Sequence, residues 1–185
     1  MKFNVLATAL TLVLVAACAS PQKPSGRIEN VTESRATVTA IDRSQRLVTL
    51  RDESGQEFVV QASDAVKNFN QVQVGDEVVV AYTEALAWQV KPAGQGAPGV
   101  STDVGVTTAK AGEKPSATAA SSVTMTATIT AIDLAAETVT LTGPAGKSHT
   151  FKARNPANLK KVKVGDLVDI TYSEALAISV KPVSK

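Results

Sequence analysis

Two short motifs in this chain set hydroxyl and carboxylate groups side by side. Tyr82-Thr83-Glu84 recurs as Tyr172-Ser173-Glu174. A phenol and a carboxylate two residues apart could orient a polar ligand, or the tyrosine could pack at a core edge with its hydroxyl in water. A second cluster is basic: Lys160, Lys161 and Lys163 stand where the corresponding earlier stretch has Asn70, Gln71 and Gln73. Three lysines so placed could meet an anionic polymer, or form an ordinary solvated face. His149 and Cys18 are the only residues of their types. A metal centre needs several such ligands to converge, and a triad needs a histidine in a recognisable Ser or Asp context. No phosphate loop, zinc-protease motif or nucleophile elbow is present. Separated carboxylates such as Asp76 and Glu84 could pair only by accident of folding. The residues therefore give no catalytic set, no metal set and no cofactor, and a binding role is expected rather than an enzymatic one.

These motifs sit in a duplicated chain. Ala36-Thr37-Val38-Thr39-Ala40-Ile41-Asp42 recurs as Ala127-Thr128-Ile129-Thr130-Ala131-Ile132-Asp133, 91 residues on. Val72-Gln73-Val74-Gly75-Asp76 recurs as Val162-Lys163-Val164-Gly165-Asp166, and Tyr82-Thr83-Glu84-Ala85-Leu86-Ala87 as Tyr172-Ser173-Glu174-Ala175-Leu176-Ala177, both 90 residues on. Both copies end in Val-Lys-Pro, at Pro92 and Pro182. The period is too long for a solenoid unit. Domains are expected at 34–92 and 124–182. The intervening 93–123, rich in Gly, Ala, Ser and Thr, reads as a flexible linker, and 18–33 as a tether.

Within a copy, alternating β-branched residues give strands at Thr37–Ile41, Arg46–Arg51 and Gln56–Ala62. A short helix follows near Val66 and Phe69, then strands at Glu77–Tyr82 and Leu86–Val90, with Tyr82 and Glu84 at a hairpin tip. Val38, Ile41, Val48, Leu50, Val60, Phe69, Val78, Val80, Leu86 and Val90 are the expected core of the first copy. The fold class is therefore all-β: two tandem small five-stranded OB-like barrels, each with one short helix. An SH3-like barrel is the alternative. The Thr-Val-Thr-Ala-Ile-Asp opening, the Val-Gly-Asp turn and Tyr-x-Glu-Ala-Leu-Ala resemble small secreted bacterial OB-like domains of unknown function. That resemblance carries over no catalytic residues. Secreted copper carriers with an OB barrel are similar in size, but they coordinate with Met and His, and this chain offers only Met125 and His149 beyond its N-terminal segment.

Position in the cell is read from the N-terminus. Met1-Lys2 is positive, Val5 to Val15 is apolar except for two threonines, and Ala16-Ala17 precede Cys18. This is the order of a secretory signal peptide at 1–17, too short to span a membrane. Leu14-Val15-Ala16-Ala17-Cys18 resembles the lipobox of bacterial lipoproteins. The resemblance implies that Cys18 is acylated and becomes the first residue of the mature chain, and that Ala19 directs the protein to the outer membrane, facing the periplasm. Multiple acyl chains anchor stably.

Charge excludes one class of partner. With 19 basic and 17 acidic residues and 4% aromatics, the chain lacks both the basic footprint and the stacking platform of nucleic-acid binders. The first copy, Ala36–Pro92, carries five basic and eight acidic residues; the second, Ala127–Pro182, carries seven basic and five acidic. The expected partners are the membrane, through the lipid, and an anionic envelope polymer or an envelope protein. A copper-carrier-like role and an envelope-polymer hydrolase are the alternatives.

Overall fold

The computed structural model describes residues 23–182. The signal segment, Cys18 and the first residues of the expected tether lie outside the described residues. The described residues are mostly β: among them, nine strands form one antiparallel sheet that is not closed. They are β1 Ser25–Asp42, β2 Leu47–Asp52, β3 Glu57–Gln61, β4 Glu77–Lys91, β5 Gly99–Thr108, β6 Ser116–Asp133, β7 Thr138–Thr142, β8 Ser148–Lys152 and β9 Leu167–Lys181. Short 3-10 turns, Phe69–Gln71 and Pro156–Lys161, take the place of the expected helices.

Strand order is β3-β2-β1-β4-β9-β6-β7-β8, with β5 beside β6. The order reads the same from both ends, because each copy contributes one half. The halves meet along β4 and β9, which pair over fifteen positions with Glu84 directly opposite Glu174. A pseudo-twofold axis passes between those two carboxylates.

Local chemistry explains the turns. Asp42 Oδ1 accepts from the backbone N–H of Ser44 and Gln45, and Asp133 Oδ1 from Ala135 and Ala136. These are the side-chain-to-backbone bonds that nucleate a turn. Each turn closes on a residue with positive φ, Arg46 and its counterpart Glu137. A register shift between Val38 and Ala40, repeated between Ile129 and Ala131, is a bulge that lets one long strand leave its central partner and bend onto the next. The result is a central sheet with a lobe at each end.

Each lobe covers a core drawn from both copies. Val38, Val48, Leu50, Phe69 and Val72 form the first, with Val180 of the second copy packed against them. Ile129 and Val168 form the second, with Val90 of the first copy among them.

The structure corrects four expectations. In place of two tandem five-stranded OB-like barrels, the described residues form one open antiparallel sheet. The fourth and fifth strands of each copy are a single strand, β4 or β9, because Tyr82-Thr83-Glu84-Ala85-Leu86 contains no Gly, Pro, Asn or Asp to turn the chain and its alternation runs on unbroken. Residues 93–123 hold β5 and the first half of β6, and β1 begins within the expected tether. Val60 and Leu86, expected in the core, are each 42% exposed.

Candidate functional site

Residues paired across strands share a face of the sheet. The register therefore places Val78, Val80, Tyr82, Glu84, Leu86, Trp88 and Val90 of β4 on one face with Val168, Ile170, Tyr172, Glu174, Leu176, Ile178 and Val180 of β9. The lobes cover the ends of this face. Its middle is open: Ile28 of β1, Tyr82, Leu86, Tyr172 and Leu176 are exposed, and Val104 of β5 is 77% exposed. Apolar side chains exposed together on one sheet face are the kind of surface that contacts use.

The tyrosine–glutamate motifs sit at the centre of that surface, mid-strand and not at a hairpin tip. They cross between the copies. The Tyr172 hydroxyl donates to Glu84 Oε1 at 2.9 Å, and the Tyr82 hydroxyl donates to Glu174 Oε2 at 3.3 Å. Ser121 of β6 donates to Glu174 Oε1 at 3.3 Å. The hydrogen bond to Glu84, partial burial and the charge of Glu84 push the Tyr172 phenol up to about 12. Partial burial and the charges of Glu84 and Glu174 raise Tyr82 as well. Phenols so shifted remain protonated donors at neutral pH, and each is already spent on a carboxylate. What the cross offers a visitor is the remaining acceptor capacity of two carboxylates in an apolar surround. That arrangement suits a cation or a hydrogen-bond donor.

The other face is polar and largely self-satisfied. Arg27 pairs with Glu29 at 2.6 Å, Arg35 with Glu33 at 2.8 Å and Glu77 at 3.1 Å, and Lys91 with Asp169 at 2.7 Å. These side chains spread over small residues, and Ala85 is buried beneath them. Shallow open grooves on this face run over Thr83, Ser122 and Ser173, and over Gln89, Thr124 and Thr171.

Lys160, Lys161 and Lys163 are exposed on the second lobe, around the 3-10 turn Pro156–Lys161 and the loop after it, on elements distinct from the mid-strand positions of the tyrosine–glutamate cross. His149 stands exposed on β8 with its ring 6.4 Å from that of Phe151. Among the described residues, no three His, Cys, Asp or Glu side chains converge as a metal site would need.

Asp76 and Asp166 serve their turns as the sequence suggests, accepting from the backbone N–H of Gln73 and Lys163. Each also holds a lysine, which sequence reasoning missed. Lys23 reaches Asp166 of the second copy and Lys114 reaches Asp76 of the first, both at 2.5 Å. The same lysines donate to the carbonyls of Lys161 and Gln71. Each copy thus begins with a cation that clasps the other copy. Burial pushes the Asp166 carboxyl up, but the hydrogen bonds from Lys23 and the Lys163 N–H outweigh it and hold the group below the usual carboxylate value. The signal was present in the chain: Lys23-Pro24-Ser25 and Lys114-Pro115-Ser116 are 91 residues apart, so the repeat starts earlier than expected.

Trp88 packs over Gly26, its cross-strand partner; a Cβ there would lie 2.1 Å from the indole ring. In the second copy the same pair is Ile178 with Ala117. The large residue shrinks where the small one grows, so Trp88 serves packing at this position.

No family model, no curated protein and no solved structure matches this chain.

Proposed function

We propose that the protein is a non-catalytic binding or scaffolding component of the bacterial cell envelope, anchored to the outer membrane through lipid on Cys18 and facing the periplasm. The observation that carries this reading is the open apolar face with the Tyr82–Glu174 and Tyr172–Glu84 cross at its middle. Such a face favours a folded partner of matching shape over a soluble polymer. The two central carboxylates favour a partner that brings a cationic group into an apolar surround. An envelope protein fits that description better than an anionic polymer, which the carboxylates would repel. The lysines that could attract such a polymer lie on a lobe.

The test is site-specific photo-crosslinking in intact cells. A photoreactive residue at Leu176, on the open face, should give a discrete adduct that Glu84→Lys combined with Glu174→Lys abolishes. The same residue at Thr83, on the polar face, should give none. Equal adducts from both positions, or none from Leu176, would overturn the proposal.

A further inference from the structure

The two halves differ at one edge. In the second half, the outer edge of β6 over 117–126 is covered by β5. The corresponding stretch of β1 is 26–35, and among the described residues nothing pairs with its outer edge; β2 joins β1 only from Ala36 onward. The chain segment that would correspond to β5 is 8–17, which lies outside the described residues and within the expected signal peptide.

Backbone geometry says which groups face outward. The Pro24 carbonyl accepts from the Val90 N–H at 2.9 Å, and the Val38 N–H donates to the Asp76 carbonyl at 2.8 Å. Even-numbered residues of β1 therefore turn their backbone groups toward β4, and the odd-numbered ones turn theirs outward. The outward set is Ser25, Arg27, Glu29, Val31, Glu33 and Arg35. An edge of this length with no strand along it among the described residues is a template for another strand. The second half shows that a strand fits there, since β5 runs antiparallel along the same stretch past the β7–β8 turn.

We infer that β1 pairs with β1 of a second copy of this chain, antiparallel over 25–35, with Asn30 facing its own counterpart on the twofold axis. Two independent features select that register. The open stretch runs from the start of β1 to the residue before β2 joins, and its midpoint is residue 30. Charge agrees: with Asn30 on the axis, Arg27 lies opposite Glu33 of the other copy, twice over. A one-residue shift to an axis at Val31 sets Arg27 against Arg35 and Glu29 against Glu33, and like charges directly opposite destabilise a pair. The pairing is isologous and closes. It also sets the open apolar faces of both copies on the same side of one continuous sheet. Pairing of β1 with β5 of another copy would instead propagate without limit.

The test uses the full chain in mild detergent, with Cys18→Ser so that an introduced cysteine is the only thiol. Sedimentation at micromolar concentration should give a two-chain mass. Asn30 would be a non-hydrogen-bonded pair with Cα atoms about 4.5 Å apart, inside disulfide range of about 4.4–6.8 Å. Asn30→Cys should therefore oxidise to a covalent dimer at least about tenfold faster than Thr32→Cys, whose register partner is Ile28. Arg27→Glu should weaken dimerisation about tenfold or more, and Arg27→Glu with Glu33→Arg should restore it. All of these residues are on the exposed strand edge, and circular dichroism checks that each variant retains its sheet. A single-chain mass, higher assemblies, equal oxidation at Asn30 and Thr32, or failure of the charge swap in a folded variant would each overturn the inference.

Discussion

Glu84→Gln tests the cross between the repeats through the chain's own chromophores. There are only two tyrosines, and both take part. Tyr172 donates to Glu84 Oε1 at 2.9 Å, and its phenol is held at about 12 against an ordinary value of about 10. That is about a hundredfold in proton affinity, and Glu84 supplies the leading cause and one of the others. Removing the carboxylate charge should bring Tyr172 back toward the ordinary value. Glu174→Gln should act chiefly on Tyr82, whose hydroxyl donates to Glu174. The assay is the near-ultraviolet tyrosinate absorbance followed from neutral to strongly alkaline pH, with circular dichroism alongside. In the parent chain both tyrosines should ionise above their ordinary value, one of them near 12. A group with a raised folded pKa contributes stability that is complete below the unfolded value and lost as pH rises through the folded one. Stability is therefore expected to fall between about 10 and 12, and the absorbance must be read while the sheet signal persists. Two tyrosines titrating at the ordinary value in the folded parent, or an upper titration unmoved by Glu84→Gln, would refute the crossed geometry.

The lysine clasps and the Trp88–Gly26 contact give two further expectations. Lys23→Ala or Lys114→Ala should each lower stability by about 1–3 kcal/mol, the cost of depriving a buried charged group of a partner, measured by urea unfolding. Asp166 has a depressed folded pKa, so its contribution is present above the unfolded carboxylate value of about 3.9 and is lost as pH falls through the lower folded value. Lys23→Ala should flatten that acid limb, and an unchanged limb would contradict the clasp. Gly26→Val should cost about 1–3 kcal/mol by overpacking against the indole and shift the emission of the only tryptophan, whereas the equivalent Ala117→Val, facing Ile178, should leave that emission unchanged.

The duplication, the β character, the Thr-Val-Thr-Ala-Ile-Asp strands and the Gly-Asp turns are legible in the chain because each is fixed by residues close in sequence; the bulge within those strands is not. Val38, Val48 and Leu50 are buried as their alternation suggests, and Phe69 as its place on a short helical turn suggests. Pairing between copies was not legible, because nothing local says that β4 will take β9 as its neighbour. The expectation of a small barrel turns Tyr82-Thr83-Glu84 into a hairpin tip, although the motif lacks turn residues and continues a period of two. In 93–123, small and polar residues obscured the alternation Val100, Thr102, Val104, Val106 that builds β5. Charge draws attention to Lys160, Lys161 and Lys163, yet the lysines that clasp the two copies are Lys23 and Lys114, visible only as repeat positions outside 34–92 and 124–182. The tyrosine–glutamate motifs stand out in the chain because they recur, but their hydrogen bonds run between the copies, which nothing local in the sequence encodes.

The β4–β9 joint holds the two copies in one sheet, and one disulfide reports on it. Glu84 and Glu174 face each other at a non-hydrogen-bonded position, with Cα atoms about 4.5 Å apart. In a Cys18→Ser background, Glu84→Cys with Glu174→Cys should oxidise rapidly to a bond within one chain, seen as an intact-mass loss of two hydrogens at single-chain size. Glu84→Cys with Thr171→Cys, whose side chains lie on opposite faces, should not. If the first pair stays reduced, or links only separate chains, the two repeats do not share a sheet and the surface proposed for binding does not exist.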